Sequence, residues 1–265
     1  MTEASITALY RYPVKGLSPD PLQQAEIRAD QTFSHDRMYA IENGSRDFDP
    51  IKPKYYPKAK FLQLMTNEQL AALETRFDAE TQTLQILRSG KQVAGGNLST
   101  PIGRQLVEQF LSAYLGGHAR GMPHIVSAQG HHFADVPDNF ISLINLESVR
   151  DIERVTGRPV DPLRFRGNIY VEGWKAWREL DLVGATLTIN QTAMFKVEAA
   201  IDRCAAINVD PQTGARDMQL PRTLADVFGH DSCGIYLTAL KDGTLQPNDQ
   251  VSATANSSAG DNLGI

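Results

Sequence analysis

The feature that most limits what this chain can fold into is a succession of short runs, four to seven residues long, mixing β-branched and aromatic residues. They are Ile6–Tyr10, Gln24–Arg28, Met38–Glu42, Phe61–Met65, Thr83–Leu87, Ile169–Glu172, Ala185–Ile189, Phe195–Ala199 and Gly234–Leu240. Gly, Pro, Asn or Asp bounds them, the pattern of strands separated by turns. Asn67–Phe77 and Gly103–Leu115 instead carry apolar residues at three- and four-residue spacing, and Leu146–Val155 does so more weakly; these read as helices. Thr100 followed by Pro101 marks a helix start. Many short strands with few helices make the fold mainly β with peripheral helices (α+β), as a barrel or sandwich. Ser89–Pro101, rich in Gly, Ser and Thr, reads as a boundary between parts 1–99 and 100–252. The small, polar residues 253–265 read as a disordered tail.

A net charge of −5 and a pI near 5.7 argue against general binding to nucleic acid or an anionic membrane, while leaving a local basic pocket open. The opening MTEASITALYRYPVKG lacks the basic and apolar regions of a secretory leader, and no apolar run approaches a membrane span. The expectation is a soluble, cytoplasmic protein in which Cys204 and Cys233 are free thiols.

Chemistry concentrates in Asp202–Asp217, DRCAAINVDPQTGARD. A strand-like run delivers Arg203 and Cys204 to an irregular segment, and Asp210-Pro211-Gln212-Thr213-Gly214 reads as a turn. Arg203 beside the sulfur favours the thiolate, a soft metal ligand and a nucleophile. Spacing alone favours a simpler alternative, a small buried cysteine. No Cys/His pattern suits zinc, and His131-His132 reads as exposed loop. Cys233, within the apolar SCGIYL, reads as core, and Trp174 and Trp177 as packing or rim residues.

R-C-A-A-x-N-V-D-P-x-T-G-x-R-D resembles the signature of the MOSC family, named for its occurrence at the C-terminus of molybdenum-cofactor sulfurases. The following GH…G-x-Y and G-x-L-x-x-x-D-x-V elements, Phe165-Arg166-Gly167-Asn168-Ile169 and Ile141–Val149 extend the resemblance. Tyr12-Pro13-Val14-Lys15-Gly16 and Asp36-Arg37 are similar to the β-barrel domain that precedes MOSC in many members. Ile207 stands where members usually carry Thr, and Pro247-Asn248-Asp249 replaces the usual x-Gly-Asp turn.

The resemblance implies an N-terminal β-barrel-like domain followed by a MOSC β-barrel, and a molybdenum–pterin cofactor with Cys204 as its sulfur ligand. Lys15, Gly16 and Arg37 would approach the phosphate end; Arg166 and Asn168 would face the pterin or dithiolene, with Asn145, Asn208 and Asp210 nearby. Arg offers phosphate a bidentate fork, Lys a point charge, and Asn both donor and acceptor. The activity implied is that of an oxidoreductase resembling the mitochondrial amidoxime-reducing component and its bacterial relatives, reducing small N-hydroxylated molecules. These 265 residues hold no iron–sulfur cysteine set and no dinucleotide fingerprint, so a separate electron-donor protein is expected. Alternatives are a non-redox sulfur carrier or cofactor-handling module bearing a Cys204 persulfide, and a binding protein with a vacant pocket. The pyridoxal-phosphate desulfurase part of the fused sulfurases is absent from these residues.

Overall fold

Strands in this chain are cut by which residues alternate toward a core, and the computed structural model, which describes residues 3–254, follows that alternation closely. In β1 (Ala4–Arg11), Ala4, Ile6 and Leu9 are buried, the step from 6 to 9 falling at a bulge. β2 (Asp20–Leu22), β3 (Ala25–Ile27) and β4 (Ala40–Asn43) follow. β5 (Glu74–Asp78), β6 (Thr83–Arg88) and β7 (Lys91–Asn97) form an antiparallel sheet of their own. After α1 (Pro101–Leu115) and β8 (Pro123–Val126) come β9 (Ile141–Asn145), α2 (Leu146–Thr156) and β10 (Ile169–Glu172). The rest comprises β11 (Thr186–Ile189), β12 (Ala193–Asp202), the single turn α3 (Leu220–Thr223), β13 (Ser232–Lys241), β14 (Gly243–Leu245) and β15 (Gln250–Thr254).

Seven strands close a barrel in the order β1-β10-β9-β13-β12-β11-β15 and back to β1. Only the β9–β10 pair is parallel, as its crossover through α2 requires. Leu143, Leu187, Phe195, Val197, Ile235 and Leu237 fill the interior and are wholly buried. Closure removes the free strand edges an open sheet would expose. The fold is mainly β with peripheral helices.

A second core lies beside the barrel, where α1 packs on β5–β7 through Val107, Leu111 and Leu115. The Gly-rich stretch read as a boundary is where β7 meets this helix. A Cβ on Gly96 or Gly103 would collide with the facing backbone, so the glycines allow strand and helix to touch. Thr100 caps the helix, its hydroxyl accepting from the Gly103 amide at 3.1 Å.

Other expectations need correction. Asn67–Phe77 is not a helix: Glu68–Ala72 forms a 3-10 turn and Glu74 begins β5. Phe61–Met65 is no strand beyond one bridge from Phe61 to Glu42, because Gln63 turns the chain by accepting the Met65 amide on its side chain and the Asn67 amide on its carbonyl. Ala253 and Thr254, placed in the tail, close β15 against β11; residues 255–265 lie outside the described residues. His131 and His132 are half-buried, the first packed on Phe48 and Phe133, the second bound to the Asp36 carbonyl at 3.0 Å.

Candidate functional site

Two distant sequence motifs meet through one carboxylate. Asp36, 1% exposed, accepts the Tyr12 amide at 2.7 Å and also pairs with the Arg37 guanidinium. The Arg37 amide in turn donates to the Tyr12 carbonyl at 2.7 Å, and Val14 bridges Tyr39. The segment at 12–16 is thereby clamped to the segment at 36–39, which brings Lys15 and Arg37 to one place. Gly16 adopts φ of 83°, and a Cβ there would stand 2.8 Å from the Leu62 carbonyl oxygen. Only glycine lets this turn lie flat on the chain below it.

The Tyr12 ring organises the cations. Arg166 lies 4.3 Å and Arg37 4.8 Å from its centroid, a cation–π arrangement on a ring with no exposed surface. Arg37 also donates to the Arg166 carbonyl at 3.1 Å, and Arg166 to the Leu17 carbonyl at 2.9 Å. Burial, together with the nearby Arg37 charge, holds the Arg166 guanidinium below its usual range. Burial likewise lowers Lys15 despite its pairing with Asp135. The site therefore concentrates positive charge that its own anions only partly offset.

Lys15, Gly16, Arg37, Asp135 and Arg166 line a cleft of about 500 Å³ whose wall also carries Cys204, Arg203 and Tyr236. Cys204 is half-buried at the end of β12, where it starts the 3-10 turn Ala205–Asn208. Arg203 does not serve the sulfur as expected; its guanidinium donates to the carbonyls of Cys233 and of Phe165, the latter at 2.8 Å. The cation nearest in effect to the sulfur is Lys58, which lines the same cleft and interacts electrostatically with Cys204. Burial pulls Lys58 down, but Asp135 and Cys204 more than offset this and leave it above its usual range. Cys204 also borders a shallower outer groove lined by Asn208, Arg216 and Arg222. Cys233 is wholly buried, and burial pushes its thiol up to about 12.

The other expected residues are placed variously. Asn168 lines the cleft, but its amide is engaged by the barrel: Oδ1 accepts from the Ser142 hydroxyl at 2.8 Å and amide at 3.1 Å, while Nδ2 donates to the Tyr10 carbonyl. Asn145 lies away from the cleft, fully buried, capping α2 and donating to Glu179 and the Lys175 carbonyl at 2.9 Å. Asn208 faces the outer groove and accepts the Leu220 amide at 2.8 Å. Asp210 builds its turn, accepting from Gln212 and Thr213 while pairing with Arg164 at 3.2 Å. Ile207 is a core residue, 3% exposed. Lys58 and Asp135 were not foreseen; Lys58 comes from a lysine-rich segment without a motif, one that reads as solvated surface.

The family model of the MOSC domain matches residues 128–252. The chain carries a MOSC domain. The matched stretch holds Asp135, Arg166, Asn168 and Cys204, whereas Lys15, Arg37 and Lys58 come from the chain before it. Sequence similarity extends to molybdenum cofactor sulfurases: that of Drosophila willistoni is 32% identical over 119 residues, 44% of this chain. That of Bombyx mori is 33% identical over 87 residues, 32% of this chain. The chain covers only 14% and 10% of the lengths of these relatives. Among solved structures, YuaD from Bacillus subtilis aligns over 95% of both chains at 12% identity with a TM-score of 0.45. YiiM from Geobacillus stearothermophilus aligns over 44% of this chain and 55% of its own at 20% identity, with a TM-score of 0.35. Among the described residues no helix is long and apolar enough to cross a membrane.

Proposed function

We propose that the cleft binds a molybdenum–pterin cofactor and that the protein is an oxidoreductase acting on small N-hydroxylated molecules. The observation that carries this reading is the donor set: a half-buried thiol, Cys204, on one wall and the cations Lys15, Arg37, Lys58 and Arg166 around the same 500 Å³ space. A soft sulfur ligand suits molybdenum, and a cluster of guanidinium and ammonium groups suits the phosphate of a pterin. The residues present therefore fit the group. When bound, the metal would supply two-electron removal of oxygen from an N–OH group, two protons and two electrons leaving it as water and an N–H bond.

The chain's own residues bind and orient. Cys204 holds the metal end, and Arg37 and Arg166, aligned by the Tyr12 ring, hold the phosphate end with Lys15. Asn168 and Ser142 fix the cleft wall by locking β1, β9 and β10 together. Electrons come from a separate donor protein. Expression in a cofactor-competent host should give about one molybdenum and one pterin per chain by metal analysis and pterin fluorescence, with molybdenum lost in Cys204→Ser. Wild-type protein that never carries either would overturn the reading.

The outer groove supports a second reading, because it opens Cys204 to a partner from the side away from the cleft. In a sulfur-carrier role Cys204 would accept a persulfide sulfur from a desulfurase supplied with cysteine. Mass spectrometry should then show a gain of one sulfur at Cys204; no gain counts against this role.

A further inference from the structure

Lys15 and Asp135 form an ion pair whose halves differ sharply in freedom. The Lys15 side chain is 7% exposed and its ammonium donates to the Phe133 carbonyl at 2.8 Å as well as to Asp135. The Asp135 side chain is 51% exposed and sits on the connector between β8 and β9. Its carboxylate lies within the pull of Lys15, Lys58 and Arg37, which together outweigh burial and hold it below the usual carboxylate range. Its backbone is tethered, the Tyr55 hydroxyl donating to the Asp135 carbonyl at 3.0 Å. The side chain can thus swing into water while the backbone stays.

We propose that Asp135 is an internal counter-anion that stands where a ligand's anionic group must go, and so sets which anions the cleft admits. The idea rests on the reading of the cleft as an anion-holding cofactor site. Without ligand, a buried cation cluster lacking any anion would be costly, and the carboxylate offsets part of that repulsion. A monoanion merely replaces one negative charge with another and gains little. A phosphate or pyrophosphate brings more charge and several acceptor oxygens, enough to engage Lys15, Lys58 and Arg37 together. Asp135 then turns to solvent at small cost, because half its surface is already wet. The carboxylate acts as a selectivity residue through competition and not through contact with the ligand.

The test is titration of the full chain with inorganic phosphate, pyrophosphate and chloride at low ionic strength, followed by calorimetry. Asp135→Asn and Asp135→Ala should both bind phosphate about tenfold tighter than wild type, the gain expected if the displaced state is roughly a tenth of the population. Chloride should likewise bind the variants better than it binds wild type, since it too must displace the carboxylate. In a Lys15→Met background Asp135→Asn should lose most of its gain, and melting curves will show each variant folded. Unchanged or weaker phosphate binding in Asp135→Asn, including no binding to any form, overturns the counter-anion role. Normal molybdenum and pterin in wild type alongside that result would sink this inference alone. Wild type lacking both while Asp135→Asn gains phosphate affinity would keep the counter-anion and remove the cofactor reading.

Discussion

Two clusters of polar groups, one around Glu179 and one around Tyr12, differ in one respect. Around Glu179 the groups close on themselves: Asn145 and Ser148 donate to the carboxylate at 2.7–2.9 Å, and Ser148 also accepts the Trp177 amide at 2.8 Å. Around Tyr12 they stay open, with three cations facing a cleft and one exposed carboxylate among them. Both clusters draw on residues of recognisable motifs. A network that meets all its own needs holds a fold together, whereas one with surplus charge awaits something from outside.

The closed cluster should break stability and nothing else. Glu179→Ala leaves the Asn145 and Ser148 donors unpaired and should cost on the order of 3 kcal/mol in denaturant unfolding, with the cofactor content per folded chain unchanged. Arg164 and Arg166 sharpen the contrast because they are two residues apart. Arg164, 4% exposed, ties the 207–217 loop through Asp210, Asp217 and the Asn208 carbonyl. Arg164→Met should therefore cost about 2–3 kcal/mol, since it strands the two aspartates. Arg166→Met should stay within about 1 kcal/mol, yet weaken phosphate binding roughly tenfold in the same calorimetric titration. Equal stability losses in the two would erase the distinction.

A smaller effect separates the clusters by pH. Burial raises the Glu179 carboxyl above its usual range, Asn145 and Ser148 offsetting only part of that. Its contribution to stability is therefore full below the usual carboxylate range and lost as pH rises through the higher folded value. Melting temperature against pH should show that decline in wild type and lose it in Glu179→Gln. The mildest test concerns the thiols: iodoacetamide at pH 8 should add one group to the folded chain, at Cys204, and reach Cys233 only in denaturant. Two adducts on folded protein would mean that the two cysteines differ less than their burial suggests.

Much of this architecture is legible in the residues. Short β-branched runs marked β1, β6, β10, β11, β12 and β13, and Thr100-Pro101 marked the start of α1. The misreading at 67–77 has a physical origin. Leu70 and Leu73 are three apart, as in a helix, but Leu73, Thr75 and Phe77 are buried at period two, and the sheet with β6 uses the second pattern. Arg166 lines the cleft. Asn145 and Asp210 belong to motifs too, but a motif conserves a turn or cap as readily as a ligand contact, and sequence does not separate these. Lys58 carries no local pattern at all; only the tertiary fold, which brings it to the cleft wall, gives it a role.

The seven-strand ring also dictates an order of events during synthesis. β1 pairs Ala4 with Val251 and Ser5 with Gln250, so the first strand of the ring to be synthesised closes against the last strand of the ring. Its end at Leu9–Arg11 pairs locally with β2, but β10, the neighbour that closes the ring on that side, emerges some 160 residues after it. For most of translation β1 has only β2 beside it, and the ring cannot close until β15 follows. Such long-range closure is slow and leaves the nascent chain open to association with its neighbours. A permuted chain in which β15 runs directly into β1 would make that last pairing a local hairpin, and it should refold faster while keeping the same barrel.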